Sequence, residues 1–217
     1  MDAVWIVGPV ILGITLAIII ISSVMETKRA AAMAAAAAAL KLNFQKKCGP
    51  DIIRELREFH LLQRGHSGRI MNLISGSAMN LDLRVFDYSY TISGGKSNTV
   101  VTQTVISFTS PELELPDFEL APETFLHRIG EAFGARDIDF AEHPGFSKQY
   151  RLRGADEAAV RALFGRNIRE AFEARPGFSM EGRDHTLLFY RRGKRIRPEV
   201  LKDFMAEGFE ILKLFRE

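Results

Sequence analysis

Apolar residues open the chain as one unbroken run and later recur at shorter periods. From Val4 to Val24, VWIVGPVILGITLAIIIISSV carries no charged side chain over twenty-one residues. As a helix rising about 1.5 Å per residue it matches the roughly 30 Å hydrocarbon core of a bilayer. Residues 1–24 are therefore expected to form a transmembrane anchor. A secretory signal peptide would need a basic leading segment, a shorter apolar stretch and a small-residue cleavage site; here only Asp2 and the terminal amine precede the run. The next stretch, KRAAAMAAAAAALKLNF, has the highest intrinsic helix propensity available. It is expected to prolong the helix to about Leu42 as a stalk, residues 25–48. It lacks the repeated large apolar residues of a coiled coil, and the single small pair Gly13 and Ala17 does not by itself specify a dimer.

Residues 49–217 have the mixed pattern of a globular domain, long enough for one substantial core. DIIRELREF has helical spacing, with Ile52, Ile53, Leu56 and Phe59 on one side. RIMNLISGSAMN, LDLRVFDYSYTIS and TVVTQTVISFT read as strands, rich in β-branched and aromatic residues. Period-two alternation puts Phe86, Tyr88, Tyr90 and Ile92 on one face and Asp87, Ser89 and Thr91 on the other. The expectation is an antiparallel meander over 69–120 with one buried face. A weak repeat over 118–217 follows, each unit a short strand, a turn and an amphipathic helix. The stripes are Phe125, Leu126, Ile129 and Phe133; Val160, Leu163, Phe164, Ile168 and Phe172; and Val200, Leu201, Phe204, Met205, Ile211, Leu212 and Phe215. PGFS occurs at Pro144–Ser147 and again at Pro176–Ser179. The predicted class is α+β: a membrane helix and Ala-rich stalk, then an antiparallel sheet covered by amphipathic helices.

Charge is segregated. Residues 25–48 carry a net +4, whereas the overall charge is +2. Basic residues follow the apolar run and none precedes it, so the positive-inside rule predicts the N-terminus outside and the domain in the cytoplasm, at a bacterial inner membrane. RRGKRIR concentrates five further cations, Arg191, Arg192, Lys194, Arg195 and Arg197, within seven residues. On a tethered domain such a turn suits anionic head groups or an acidic protein surface; a solvated hairpin tip would look the same. No RRM-type aromatic motif accompanies it, so nucleic acid is not the expected partner.

Other chemistry is weaker. In RDIDFAEHPGF, Asp137, Asp139, Glu142 and His143 could supply acid/base or metal-assisted hydrolysis, but the segment meets no fixed ligand spacing and reads equally as loop chemistry. His60, His66, His127, His143 and His185 show no helical i, i+4 zinc pair. GGKS fails as a P-loop because Tyr90 stands where the first glycine belongs and a strand follows. GHSG at 65–68 lacks the spacing of a nucleophile elbow. The single cysteine, Cys48, forms no internal disulfide, and no motif calls for a cofactor.

FDYSYT at Phe86–Thr91 with QTV at Gln103–Val105, then DIDF and HPGFS, resembles a group of short bacterial proteins with one N-terminal span and a cytoplasmic α+β part. The resemblance covers most of the chain beyond the stalk and implies that architecture, with no activity, cofactor or catalytic residue attached. The sequence reading is thus a membrane-anchored binding or scaffolding module, with the bilayer as partner through Val4 to Val24 and the basic turn as contact surface. The alternatives are a hydrolase on the 137–143 segment and an accessory subunit of a larger membrane complex.

Overall fold

The computed structural model describes residues 3–94, 97–123 and 137–216, with side chains from residue 10 onward. Helix α1 runs unbroken from Ala3 to Ala39. Its portion from Val10 is long and apolar enough to cross a membrane, and every side chain from Val10 to Met25 stands exposed, clear of the domain.

The alanine segment is helical as expected, but it is not a stalk. Ala30, Met33 and Ala37 are buried, with Met33 and Ala37 fully so, and Leu40 is half-buried. These positions recur every three to four residues, so one face of α1 lies against the domain. Alanine carries too little hydrophobicity to advertise that face in the sequence, while its small side chain lets helix and sheet approach closely. Helix α1 and the domain core are therefore continuous: Met33 and Ala37 pack in one cluster with Ile74, Leu83, Val85, Ile106 and Phe108.

After β1 (Asn43–Lys47), α2 (Pro50–Leu56) and α3 (His60–Gln63) come the three long strands β2 (His66–Ala78), β3 (Leu81–Gly94) and β4 (Ser97–Thr109). Then follow β5 (Leu115–Pro122), α4 (Pro144–Gln149), β6 (Tyr150–Gly154), α5 (Glu157–Leu163), α6 (Arg166–Glu173), β7 (Ser179–Asp184), β8 (Thr186–Tyr190) and α7 (Leu201–Lys213). The strands form one antiparallel sheet in the order β1-β2-β3-β4-β8-β7-β5-β6. The β2-β3-β4 meander is as expected, but β5 does not extend it. The chain leaves β4 at Ser110, whose N–H donates to His185 O at 2.9 Å, and the neighbouring place is taken by β8.

The expectation of one buried face is also corrected: both faces are covered. On one, α1, α4 to α7 and the β strands share the larger core. On the other, Leu56, Phe59 and Leu61 from the α2–α3 region cover Ile70, Leu73, Phe86, Tyr88, Tyr90, Val105, Leu188 and Tyr190. The polar side of β3 is thus not solvated; Asp87 is fully buried there. Helix α7 carries Leu201, Phe204, Met205, Ile211 and Leu212 into the core, with Phe215 in the turn that follows, whereas Val200 remains in an exposed 3-10 turn, Pro198–Val200. Gly208 lets α7 lie close: an added Cβ would come within 3.0 Å of Ile106. The stripe from Val160 to Phe172 is two helices, because Phe164 leaves helical geometry at ψ 56 before Gly165 starts α6. The two PGFS copies differ too, the first opening α4 and the second forming the turn into β7. The stripe Phe125, Leu126, Ile129 and Phe133, with His127, lies outside the described residues.

Candidate membrane-proximal contact site

Where α1 emerges from its apolar run it meets the sheet through a buried ionic junction. Glu26 and Arg29 lie one helical turn apart and face the same way. Arg29 grips Asp87 with two bonds, Nε to Oδ2 at 2.8 Å and Nη2 to Oδ1 at 2.7 Å. Arg195 approaches from the other side, Nε donating to Asp87 Oδ2 at 3.1 Å and Nη2 to Glu26 Oε1 at 2.6 Å. Thr104 donates its hydroxyl to Asp87 Oδ1 at 2.9 Å, and the Asn72 amide donates to both Asp87 and Glu26 at 3.0 Å.

Local strand geometry builds this arrangement. Three steps in β2, from Met71 to Ile74, face two in β3, from Asp87 to Val85, which is a β-bulge. Asn72 takes a left-handed φ of 53° there and is buried with its amide in the junction. The bulge also moves Ile74 onto the α1 face while Leu73 stays on the other. Burial alone would raise the Asp87 carboxyl, but the bonds from Arg29 and the charge of Arg195 outweigh it and hold the group below its ordinary value.

The junction fixes the basic turn beside the anchor. Arg29 Nη1 donates to Ile196 O at 2.8 Å, and Ile196 N donates to Thr104 Oγ1 at 2.9 Å. Arg29 sits five residues after Val24, or roughly 7 Å along the helix axis. The five cations of the turn divide. Arg195 is spent on Glu26 and Asp87; Arg191 lies over the Phe178 ring at 3.6 Å and reaches Glu207 at 3.4 Å. Lys194 and Arg197 are exposed, as is Lys28 on α1, and Arg192 is half-buried. The turn is shaped by Gly193, with φ 65°, whose N–H donates to Gln103 Oε1 at 2.9 Å.

The acidic segment is arranged differently. Asp137 is bound by Arg151 and by Arg153 Nε at 2.7 Å; although partial burial opposes it, these arginines hold its carboxyl below the ordinary value. Asp139 is exposed and contributes its backbone carbonyl to Arg161 at 2.8 Å. Glu142 pairs with Arg169 at 3.0 Å, and His143 lies 3.6 Å from Glu173. The side chains of Asp137, Glu142 and His143 meet different partners, and among the described residues no three acidic, histidine or cysteine groups are placed to hold a metal. Burial pushes the Cys48 thiol up, away from the thiolate a nucleophile needs.

Sequence reasoning missed a second buried carboxylate, Glu181 on β7. It accepts from Tyr190 Oη at 2.7 Å and from Leu61 N at 3.0 and 3.1 Å, pinning α3 onto the sheet. Burial and the nearby Glu119 push it up to about 7, against the pull of Arg64, which itself pairs with Glu119. The acidic residue in SMEGRD carried no signal of burial, because its face is defined only by pairing with Leu188.

The chain is therefore an α+β protein with an N-terminal helix able to cross a membrane, fused to an eight-stranded antiparallel sheet. No family model and no curated protein sequence matches it. Among solved structures it is similar to the mycobacterial trehalose monomycolate transport factor A, TtfA, with TM-score 0.61 and 10% identity, over 87% of this chain and 92% of that one. At that identity the likeness concerns the fold.

Proposed function

We propose that the protein is a bitopic accessory factor of a bacterial inner membrane, N-terminus outside, whose cytoplasmic domain is held against the bilayer and presents its basic turn to anionic head groups. The observation that carries this reading is the Arg29–Asp87–Arg195–Glu26 junction, which ties the turn to α1 just past the apolar run. Lys28 on α1 and Lys194 and Arg197 in the turn are exposed cations, and each such residue near an anionic leaflet adds about 1 kcal/mol. The neighbour of similar fold is described as a transport factor for trehalose monomycolate; that description supports reading this chain as an accessory protein working beside a membrane.

The test compares backbone hydrogen exchange over residues 193–198 in the full chain, in nanodiscs of phosphatidylcholine with and without phosphatidylserine. The expected result is slower exchange with the anionic lipid, reversed by Lys194→Glu with Arg197→Glu. Equal rates in both lipids would defeat the head-group reading, and protection appearing only with native membrane proteins would transfer the contact to an acidic protein surface.

A further inference from the structure

The Arg191–Lys194 turn also forms one wall of a cleft between the end of α4 and the second PGFS turn. Its volume is about 410 Å³, and its lining includes Lys148, Gly177, Arg191, Arg192, Lys194 and Glu123. Four cations thus line the space, with one carboxylate, Glu123, among the described lining residues; Lys148 and Lys194 are exposed, while Arg191 also reaches Glu207. Three separate chain segments bring them together: the end of α4 supplies Lys148, the second PGFS turn supplies the floor, and the segment after β8 supplies the rest. The floor is fixed by Tyr150, whose hydroxyl donates to Arg175 O at 2.8 Å. Gly177 takes φ 91°, a conformation L side chains rarely adopt, and lies under the Arg191 guanidinium. Stacking on Phe178 holds that guanidinium flat at 3.6 Å, and its Glu207 contact at 3.4 Å uses only Nη2.

We propose that this cleft is a binding site for a phosphate monoester group. Planar guanidinium forks suit phosphate oxygens, and lysines add rotatable point charges. A monoester carries about −1.5 to −2 charges at neutral pH, which Lys148, Lys194 and the Arg191 guanidinium face from three directions. The cleft is larger than one phosphate and has room for more of a ligand than the phosphate itself. The proposal rests on the basic turn of the preceding reading, but it adds Lys148, which that reading does not use, and it is measured without a bilayer. A lipid head group and a soluble phosphorylated metabolite present the same chemistry to these side chains.

The experiment uses the full chain in a maltoside micelle, which contains no phosphate. Calorimetric titrations with inorganic phosphate, glycerol 3-phosphate and short-chain phosphatidic acid are compared at constant ionic strength set by chloride. Saturable binding is expected, weakened at least tenfold by Lys148→Glu and by Lys194→Glu. Lys46→Glu, the same charge change on edge strand β1, is expected to leave it intact. Tighter binding of glycerol 3-phosphate assigns a soluble ligand, and tighter binding of phosphatidic acid assigns a head group; either supports the site. Binding indifferent to Lys148→Glu in a folded variant, or heats no different from chloride, would overturn it. So would binding of acidic peptide but none of the three phosphates. Loss of head-group protection at 193–198 with phosphate binding intact would defeat only the membrane-contact reading.

Discussion

Asp87 and Glu181 are both buried carboxylates in one sheet, yet they face opposite sides and their carboxyls are shifted in opposite directions. Asp87 lies under α1 between Arg29 and Arg195, and its carboxyl is held low. Glu181 lies under α3 among Tyr190, a backbone N–H and Glu119, and its carboxyl is pushed up to about 7. The difference is set by the partners. Two guanidiniums compensate a buried negative charge, whereas a hydroxyl and an amide satisfy the oxygens without supplying countercharge. One carboxylate therefore works as an ionic rivet between anchor and domain, and the other as a neutral clasp near pH 6.

Replacing the rivet should have the largest effect. Asp87→Asn leaves the nearly buried Arg29 without its countercharge and Arg195 with Glu26 alone, and is expected to cost about 3–5 kcal/mol in denaturant unfolding. Because the folded-state value of Asp87 is depressed, its contribution is complete above about 3.8 and is lost as pH falls through the lower folded value. The apolar part of the same interface comes next: Met33→Ala should cost about 2–4 kcal/mol, since Met33 is fully buried in the shared core. Glu181 should show the opposite pH dependence. Its raised value means that its contribution is complete below about 4.5 and is lost as pH rises through about 7. Glu181→Gln should flatten that part of the stability–pH curve and raise stability relative to wild type above pH 8. Asp137 sharpens the contrast at the small end. It too sits between two arginines, but its side chain is 36% exposed, so Asp137→Asn should cost no more than about 1 kcal/mol.

What the sequence conveyed follows the strength of each local signal. The membrane run, the three long strands and α7 were legible because their apolar residues repeat over many positions. The β3–β4 pairing holds without a slip from Asp82–Thr109 to Gly94–Ser97. The packing of α1 was not legible, since a run of alanine shows no stripe whether or not one face is buried. Asp87 read as a solvent-facing strand position because alternation gives its face but not what covers that face. The Asn72 bulge left no mark in the pattern, although it aims the amide and divides Leu73 from Ile74. The basic turn was visible as charge. Its division into Arg195 in the junction, Arg191 on Phe178 and exposed Lys194 and Arg197 depended on contacts with α1, β3, the turn before β7 and α7.

The central claim is that the C-terminal half of α1 belongs to the domain, and hydrogen exchange of the amides from Glu26 to Ala39 in nanodiscs tests it most directly. The expected result is protection matching that of the β3 and β4 core, lost together with it in Asp87→Asn. Exchange at the rate of an isolated alanine helix, unaffected by Asp87→Asn, would contradict the account and restore a free stalk.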